Sequence, residues 1–263
     1  MANKIVLQNK EKMDYARREA MNSLKTNLSF CGDDNKVILF TSCTPNEGKS
    51  TVAMELARSL AEDGKKVILV DADMRKSVLV GRHRITSENE IYGLSHYLAG
   101  QKKLDDVLLH TDIENFDMIV AGPSVPNPTG LLGNAYFSKM IEELKAAYDL
   151  VLIDCPPLGW VIDAAVIAPM CDSAILVVES NAISYRYLQD VKKQLDLTGI
   201  RILGVVLNKV KMETGGYYNR YGGHYGKYGK YGKYGKYGKY GKYGEYAKYG
   251  EYAKSEEDTN EEA

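Results

Sequence analysis

The sequence predicts a doubly wound α/β domain on a mostly parallel sheet, followed by a low-complexity tail. Three observations lead there. Short apolar runs recur along the chain: "KVILFTS" from Lys36, "KVILVD" from Lys66, "DLVLID" from Asp149, "SAILVVE" from Ser173 and "RILGVVLN" from Arg201. They lack polar alternation, as expected of strands buried on both faces of a parallel sheet. Helical patterns lie between them, such as "STVAMELARSLAEDG", which closes on Gly64 as a helix C-terminus should. Alternation of strand and helix implies helices on both faces of one sheet. Finally, the composition changes near Glu213. Thirteen of the 20 tyrosines lie between Tyr217 and Tyr252, a stretch without Val, Ile, Leu, Phe or Met. Such a segment cannot offset the entropy of ordering itself.

The expected organisation is therefore an N-terminal helical segment over residues 1–35 with a possible oligomer contact, a folded domain over 36–213 and a tyrosine-rich tail over 214–263. A length of 263 residues suits one domain plus extras. No stretch approaches the roughly 18 apolar residues that span a bilayer, and "MANKIVLQNKEKMDYARREA" lacks a secretory apolar run. A cytoplasmic location is expected. Cys31, Cys43, Cys155 and Cys171 show no CxxC spacing and read as reduced thiols rather than a disulfide framework or zinc site.

In a doubly wound sheet, ligands sit beyond the carboxyl ends of the strands. That rule selects three places. The first strand runs into "TSCTPNEGKST", where Gly48-Lys49-Ser50 precedes a helix, the close of a phosphate-binding loop (P-loop). Pro45, Asn46, Glu47, Gly48, Lys49, Ser50 and Thr51 would cradle the phosphates, and the backbone N–H groups at the helix start would face them. Lys49 can bridge the β- and γ-phosphates, and the Ser50 hydroxyl can ligate magnesium. Cys43 stands where the loop pattern has its first glycine. The second strand ends in "ILVDADMRK". Asp71 and Asp73 are two apart and share a face, so like charges there call for a cation or a proton. The third, "LVLIDCPP", ends in Asp154, a Walker B acid that can hold magnesium directly or through water. Together the three imply a P-loop NTPase fold of deviant Walker type, using ATP and Mg2+.

These motifs resemble those of the bacterial tyrosine kinases of the capsule and exopolysaccharide type, which use P-loop motifs. "TPNEGKST" is similar to that family's Walker A, "ILVDADMRK" to its second Walker-like motif and "VLIDCPP" to its Walker B; "GLSHYLAG" at Gly93, "NPTGLL" at Asn127, "GVVLNKV" at Gly204 and the tyrosine-rich C-terminus also match. The resemblance implies that Lys49 stabilises the transferring phosphate. Ser50, Asp73 and Asp154 would hold magnesium, Asp71 would orient or deprotonate the incoming tyrosine, Arg75 would serve the nucleotide, and Asn208 would sit near the adenine. Asn46 occupies a position that is usually glycine in the family; asparagine tolerates φ > 0. Gly130 stands for an acid of the family's "NPxELL" block. The two arginines of the family's ring-forming helix are Asn22 and Lys25 in "EAMNSLKTN". Lys lacks the bidentate fork of Arg, and Asn lacks its charge.

The tail holds the expected acceptors: Tyr217, Tyr218, Tyr221, Tyr225, Tyr228, Tyr231, Tyr234, Tyr237, Tyr240, Tyr243, Tyr246, Tyr249 and Tyr252. From Tyr225 to Lys254, eight lysines and two glutamates give a net charge of +6, which phosphorylation would cancel and then invert. Tyr185 and Tyr187 fall in a helical pattern and read as structural. The resemblance also implies partners: a membrane activator of the chain-length-regulator type that recruits the chain to the inner face of the membrane, a tyrosine phosphatase, and a second copy whose site receives the tail. No nucleic-acid partner is expected. The rival reading is a partner-regulated switch ATPase of the MinD/ParA type, which places a lysine where this chain has Thr44, or an ATP-binding scaffold of the polysaccharide machinery.

Overall fold

The computed structural model describes residues 3–9, 13–32 and 34–210. The tail and its thirteen expected acceptor tyrosines lie outside the described residues. In chain order the elements are β1 (Val6–Leu7), α1 (Tyr15–Ser29), β2 (Val37–Ser42), α2 (Lys49–Glu62), β3 (Val67–Asp71), α3 (Leu79–His83), β4 (Ile85–Thr86), α4 (Leu94–Leu98) and α5 (Leu104–Val107). There follow β5 (Leu109–His110), β6 (Phe116–Ile119), α6 (Pro128–Leu132), α7 (Ala135–Ala147), β7 (Leu150–Asp154), α8 (Asp163–Ile167), β8 (Ser173–Glu179), α9 (Tyr185–Asp196) and β9 (Arg201–Asn208).

Seven strands form one sheet in the order β5-β6-β3-β7-β2-β8-β9. All neighbours run parallel except β5 against β6. The five apolar runs become β2, β3, β7, β8 and β9. Every residue of β2 and β3 is buried, as parallel central strands require. Alternate residues face opposite sides. Val37, Leu39, Ile68 and Val70 pack with α7, α8 and α9, whereas Ile38, Phe40, Val67 and Leu69 pack with α2 and the Met21 side of α1. Strand β6, a parallel partner of β3, was not among the expected runs. It is short, and Asp117 interrupts its apolar pattern by bonding His110 and Tyr148.

Helix α2 ends as its sequence predicts. Gly64 has φ +85°, its N–H bonds Ala61 O at 2.9 Å, and Lys65 N–H bonds Leu60 O at 3.1 Å. This double closure needs a residue at ease with positive φ. The segment that resembles the ring-forming helix is α1. Its Lys25 pairs with Asp63 at the end of α2, at 2.7 Å, and Arg17 pairs with Glu55 of the same helix. Among the described residues no helix is long and apolar enough to cross a membrane.

Candidate active site

The sheet order brings the three motifs together. β3, β7 and β2 are neighbours, and Asp71 lies opposite Asp154 in the parallel register. Asp154 in turn lies opposite Phe40, near the end of β2, beyond which the phosphate loop begins. A sheet that places these strands side by side places their carboxyl ends in one cleft.

The loop from Cys43 to Gly48 turns into α2 through Asn46 at φ +67° and Gly48 at φ +94°. No side chain caps the N-terminus of α2, so its first N–H groups face out of the helix end. The Glu47 side chain is fully buried and turns back on the protein. It accepts from Thr44 N–H at 2.7 Å and from Glu179 N–H at 3.4 Å. Glu47 thus shapes the loop with its carboxylate. Asn208, which the family pattern associates with the adenine, donates from Nδ2 to the Glu47 carbonyl at 2.9 Å. A Cβ on Gly48 would stand 2.1 Å from that same Nδ2, which leaves the position to glycine. Lys209 Nζ reaches the Asn46 carbonyl at 2.7 Å and Glu179 Oε2 at 2.7 Å. The ends of β8 and β9 therefore brace the loop from the side.

Lys49 is buried, and its Nζ stands 3.3 Å from Asp73 Oδ2, 3.3 Å from Asp154 Oδ1 and 3.2 Å from Ser50 Oγ. Burial works against its charge, but Asp154, Asp73 and Asp71 outweigh that and hold its pKa above the ordinary value. Burial pushes Asp154 up, opposed by Lys49 and Ser50. Asp71 accepts from Ser77 Oγ at 2.5 Å and from Asp73 N–H at 3.1 Å. Burial pushes its carboxyl up to about 7, with the Asp154 charge adding and Ser77 and Lys49 opposing. Asp73 also accepts from Lys76 N–H at 3.0 Å. Among the described residues no group of three His, Cys, Asp or Glu side chains forms a metal cage by itself. The Ser50 hydroxyl and the Asp73 and Asp154 carboxylates are hard oxygen donors, the type magnesium takes alongside substrate phosphates. Three carboxylates also outnumber one ammonium, which a divalent cation would offset.

Arg75 and Thr51 have other partners in this structure. Arg75 binds Asp163 in a fork, Nε to Oδ2 at 2.6 Å and Nη2 to Oδ1 at 3.0 Å, and Thr129 joins the same carboxylate at 2.5 Å. Thr51 Oγ1 accepts from Arg82 at 2.6 Å. Tyr187, read as structural, donates from its hydroxyl to Gly159 O at 3.2 Å and lies 3.4 Å from Cys43 O. Four residues of the site were missed: Ser77, Asp163, Glu179 and Lys209. Of these only Lys209 carried a signal, as the neighbour of Asn208 in "LNKV".

A family described as "AAA domain" matches residues 35–201. Over 212 residues the chain is 42% identical to the tyrosine-protein kinase CpsD of Streptococcus agalactiae, covering 81% of this chain and 90% of that protein. The kinase domain of Escherichia coli tyrosine kinase ETK is 30% identical with a TM-score of 0.68, covering 74% of this chain and 78% of that one. The septum site-determining protein MinD of Pyrococcus horikoshii, solved with Mg-ADP, is more distant at a TM-score of 0.55 and 29% identity, covering 65% and 69%. The fold is thus shared with MinD, while likeness along most of both chains is to the kinases. On that likeness, this chain belongs to the family of bacterial tyrosine-protein kinases.

Proposed function

We propose that this chain transfers the γ-phosphoryl group of ATP to tyrosine hydroxyls, foremost those between Tyr217 and Tyr252, and thereby regulates capsular or exopolysaccharide synthesis and export. The observation that supports it best is the convergence of Lys49, Asp71, Asp73 and Asp154 beside the phosphate loop, in a chain that also carries thirteen tail tyrosines. Bound Mg-ATP would supply the phosphoryl group and neutralise the charge that develops on it. The N–H groups at the start of α2 and the Lys49 ammonium would hold the phosphates. Ser50, Asp73 and Asp154 would hold the magnesium. Asp71 would orient the phenol and accept its proton at a carboxylate oxygen, which a phenol of pKa about 10 requires near neutral pH. Burial of Lys49 and the acids gives these charges a preorganised setting, where electrostatic stabilisation counts most.

In the same reading a second copy receives the tail, a membrane protein of the chain-length-regulator type activates and recruits the kinase, and a tyrosine phosphatase resets it. Phosphates on the cationic ladder would turn attraction to an acidic cleft into repulsion. The test is mass spectrometry of the whole chain after incubation with Mg-ATP, with and without the cytoplasmic peptide of a candidate activator, beside Lys49→Met. Phosphate on Tyr217–Tyr252 that is lost in Lys49→Met supports the reading. ATP turnover with unmodified tyrosines would replace it with a switch ATPase, and binding without turnover in any mixture would replace it with a scaffold.

A further inference from the structure

The loop after β7 carries an exposed apolar pair that the proposed chemistry does not use. Trp160, the single tryptophan of the chain, is 68% exposed and Ile162 is 55% exposed. Both ends of this short stretch are tied to the catalytic cleft. On one side Leu158 N–H bonds Ser42 O at 2.9 Å, and Gly159 lies so close to the loop that a Cβ there would meet Cys43 O at 2.3 Å. On the other side Asp163 is buried and forked to Arg75, two residues past Asp73. The stretch from Trp160 to Ile162 therefore forms a rim between the phosphate loop and the Asp71–Asp73 strand end. Its backbone is fixed by the turn in which Trp160 N–H and Val161 N–H both bond Pro157 O, at 3.0 and 3.1 Å. A large indole held on a braced turn at the mouth of a site, with an aliphatic neighbour two residues on, has the character of a docking surface.

We infer that Trp160, with Ile162, is the docking platform for the acceptor ladder of a second copy, and so sets specificity for tyrosines spaced by glycine and lysine. The inference rests on the tyrosine-kinase reading above and names how its acceptor is recognised. Chemistry selects this occupant. Indole is the best side-chain face for an ammonium, and it stacks or packs edge-on with phenols. The ladder offers both groups in every triplet from Tyr225 to Lys242. Its +6 charge complements a cleft in which three carboxylates face one lysine. A period of three residues means that a shift by one triplet restores the same contact on Trp160. One platform can thus serve successive tyrosines without a separate subsite for each.

The test uses the full chain and the synthetic peptide YGKYGKYGKYGK. As the single tryptophan, Trp160 reports on its own surroundings by fluorescence. Added peptide should shift its emission saturably, and a peptide with every Tyr and Lys replaced by Ser should not. In kinetics, Trp160→Ala should raise KM for the peptide about five-fold while kcat and the KM for ATP hold, and Trp160→Phe should recover most of the loss. Emission that ignores a peptide the enzyme phosphorylates, or an unchanged peptide KM in Trp160→Ala, overturns the inference. So does an emission shift on acidic phospholipid vesicles with none on the peptide, which would assign the rim to a membrane surface. If the wild-type chain phosphorylates no tyrosine, the kinase reading fails by itself, and the emission titration still decides whether the ladder docks on Trp160.

Discussion

Lys209 Nζ lies 2.7 Å from the carbonyl oxygen of Asn46, so the residue after the last strand holds the tip of the phosphate loop in its left-handed turn. Glu179 Oε2, also at 2.7 Å, fixes the ammonium in place. The pair is partly exposed, which limits it to about 1 kcal/mol after solvent screening. Lys209→Met should therefore weaken ADP binding about five-fold, and Lys209→Arg should restore part of it. Titration calorimetry with ADP measures both. Equal affinity in Lys209→Met would mean that the loop keeps its shape without the brace.

Asp71→Asn keeps an oxygen acceptor for the Asp73 N–H, sets an amide N–H donor against the Ser77 oxygen, and removes the proposed base. Tyrosine phosphorylation should fall by about 100-fold or more, the scale of general base catalysis. ADP binding should persist. The thermal midpoint should hold or rise, because burial and Asp154 already oppose a charge at this position. A rate within a few-fold of wild type would remove Asp71 from the base role.

Gly159→Ala should damage a site that the substitution does not enter. The added methyl would stand 2.3 Å from Cys43 O and 2.4 Å from the Tyr187 hydroxyl. Overpacking of this kind costs about 1–3 kcal/mol. A thermal midpoint lowered by about 5 °C and weakened ADP binding are expected together, since the clash displaces the entry to the phosphate loop. An unchanged midpoint would show that the turn yields freely.

Cysteine reactivity should follow burial rather than nearness to the nucleotide. Cys43 is fully buried, and burial followed by the Glu47 charge pushes its thiol up to about 12. Cys155 is raised well above its ordinary value by the same burial. Brief alkylation of the native chain followed by peptide mass mapping should label Cys31 first and leave Cys43 and Cys155 unmodified. Early labelling of Cys43 would indicate that the phosphate loop opens.

The central sheet was legible because its strands are buried on both faces and so read as unbroken apolar runs. The motifs of the candidate site were legible for a related reason: each sits where such a run stops, at Ser42, Asp71 and Asp154. Their meeting point follows from strand order, and Asp71 opposite Asp154 is its simplest expression. What escaped the sequence are contacts between segments far apart along the chain. Asp163 reaches Arg75 across 88 residues and Lys209 reaches Asn46 across 163, and no local pattern records either approach. Strand β6 escaped because the carboxylate of Asp117, needed by Tyr148 and His110, breaks the run that would have announced it.

The bracing of the phosphate loop by Asn208 and Lys209 also sets a lower bound on the minimal catalytic unit. A shortened chain that stopped at Leu203 would still hold all three motifs, and by inspection of its motifs alone would pass for intact. It would nevertheless lack two of the props that give the loop its form. For engineering, the useful boundary lies after Lys209, beyond the last motif by two helices and two strands, α8, β8, α9 and β9.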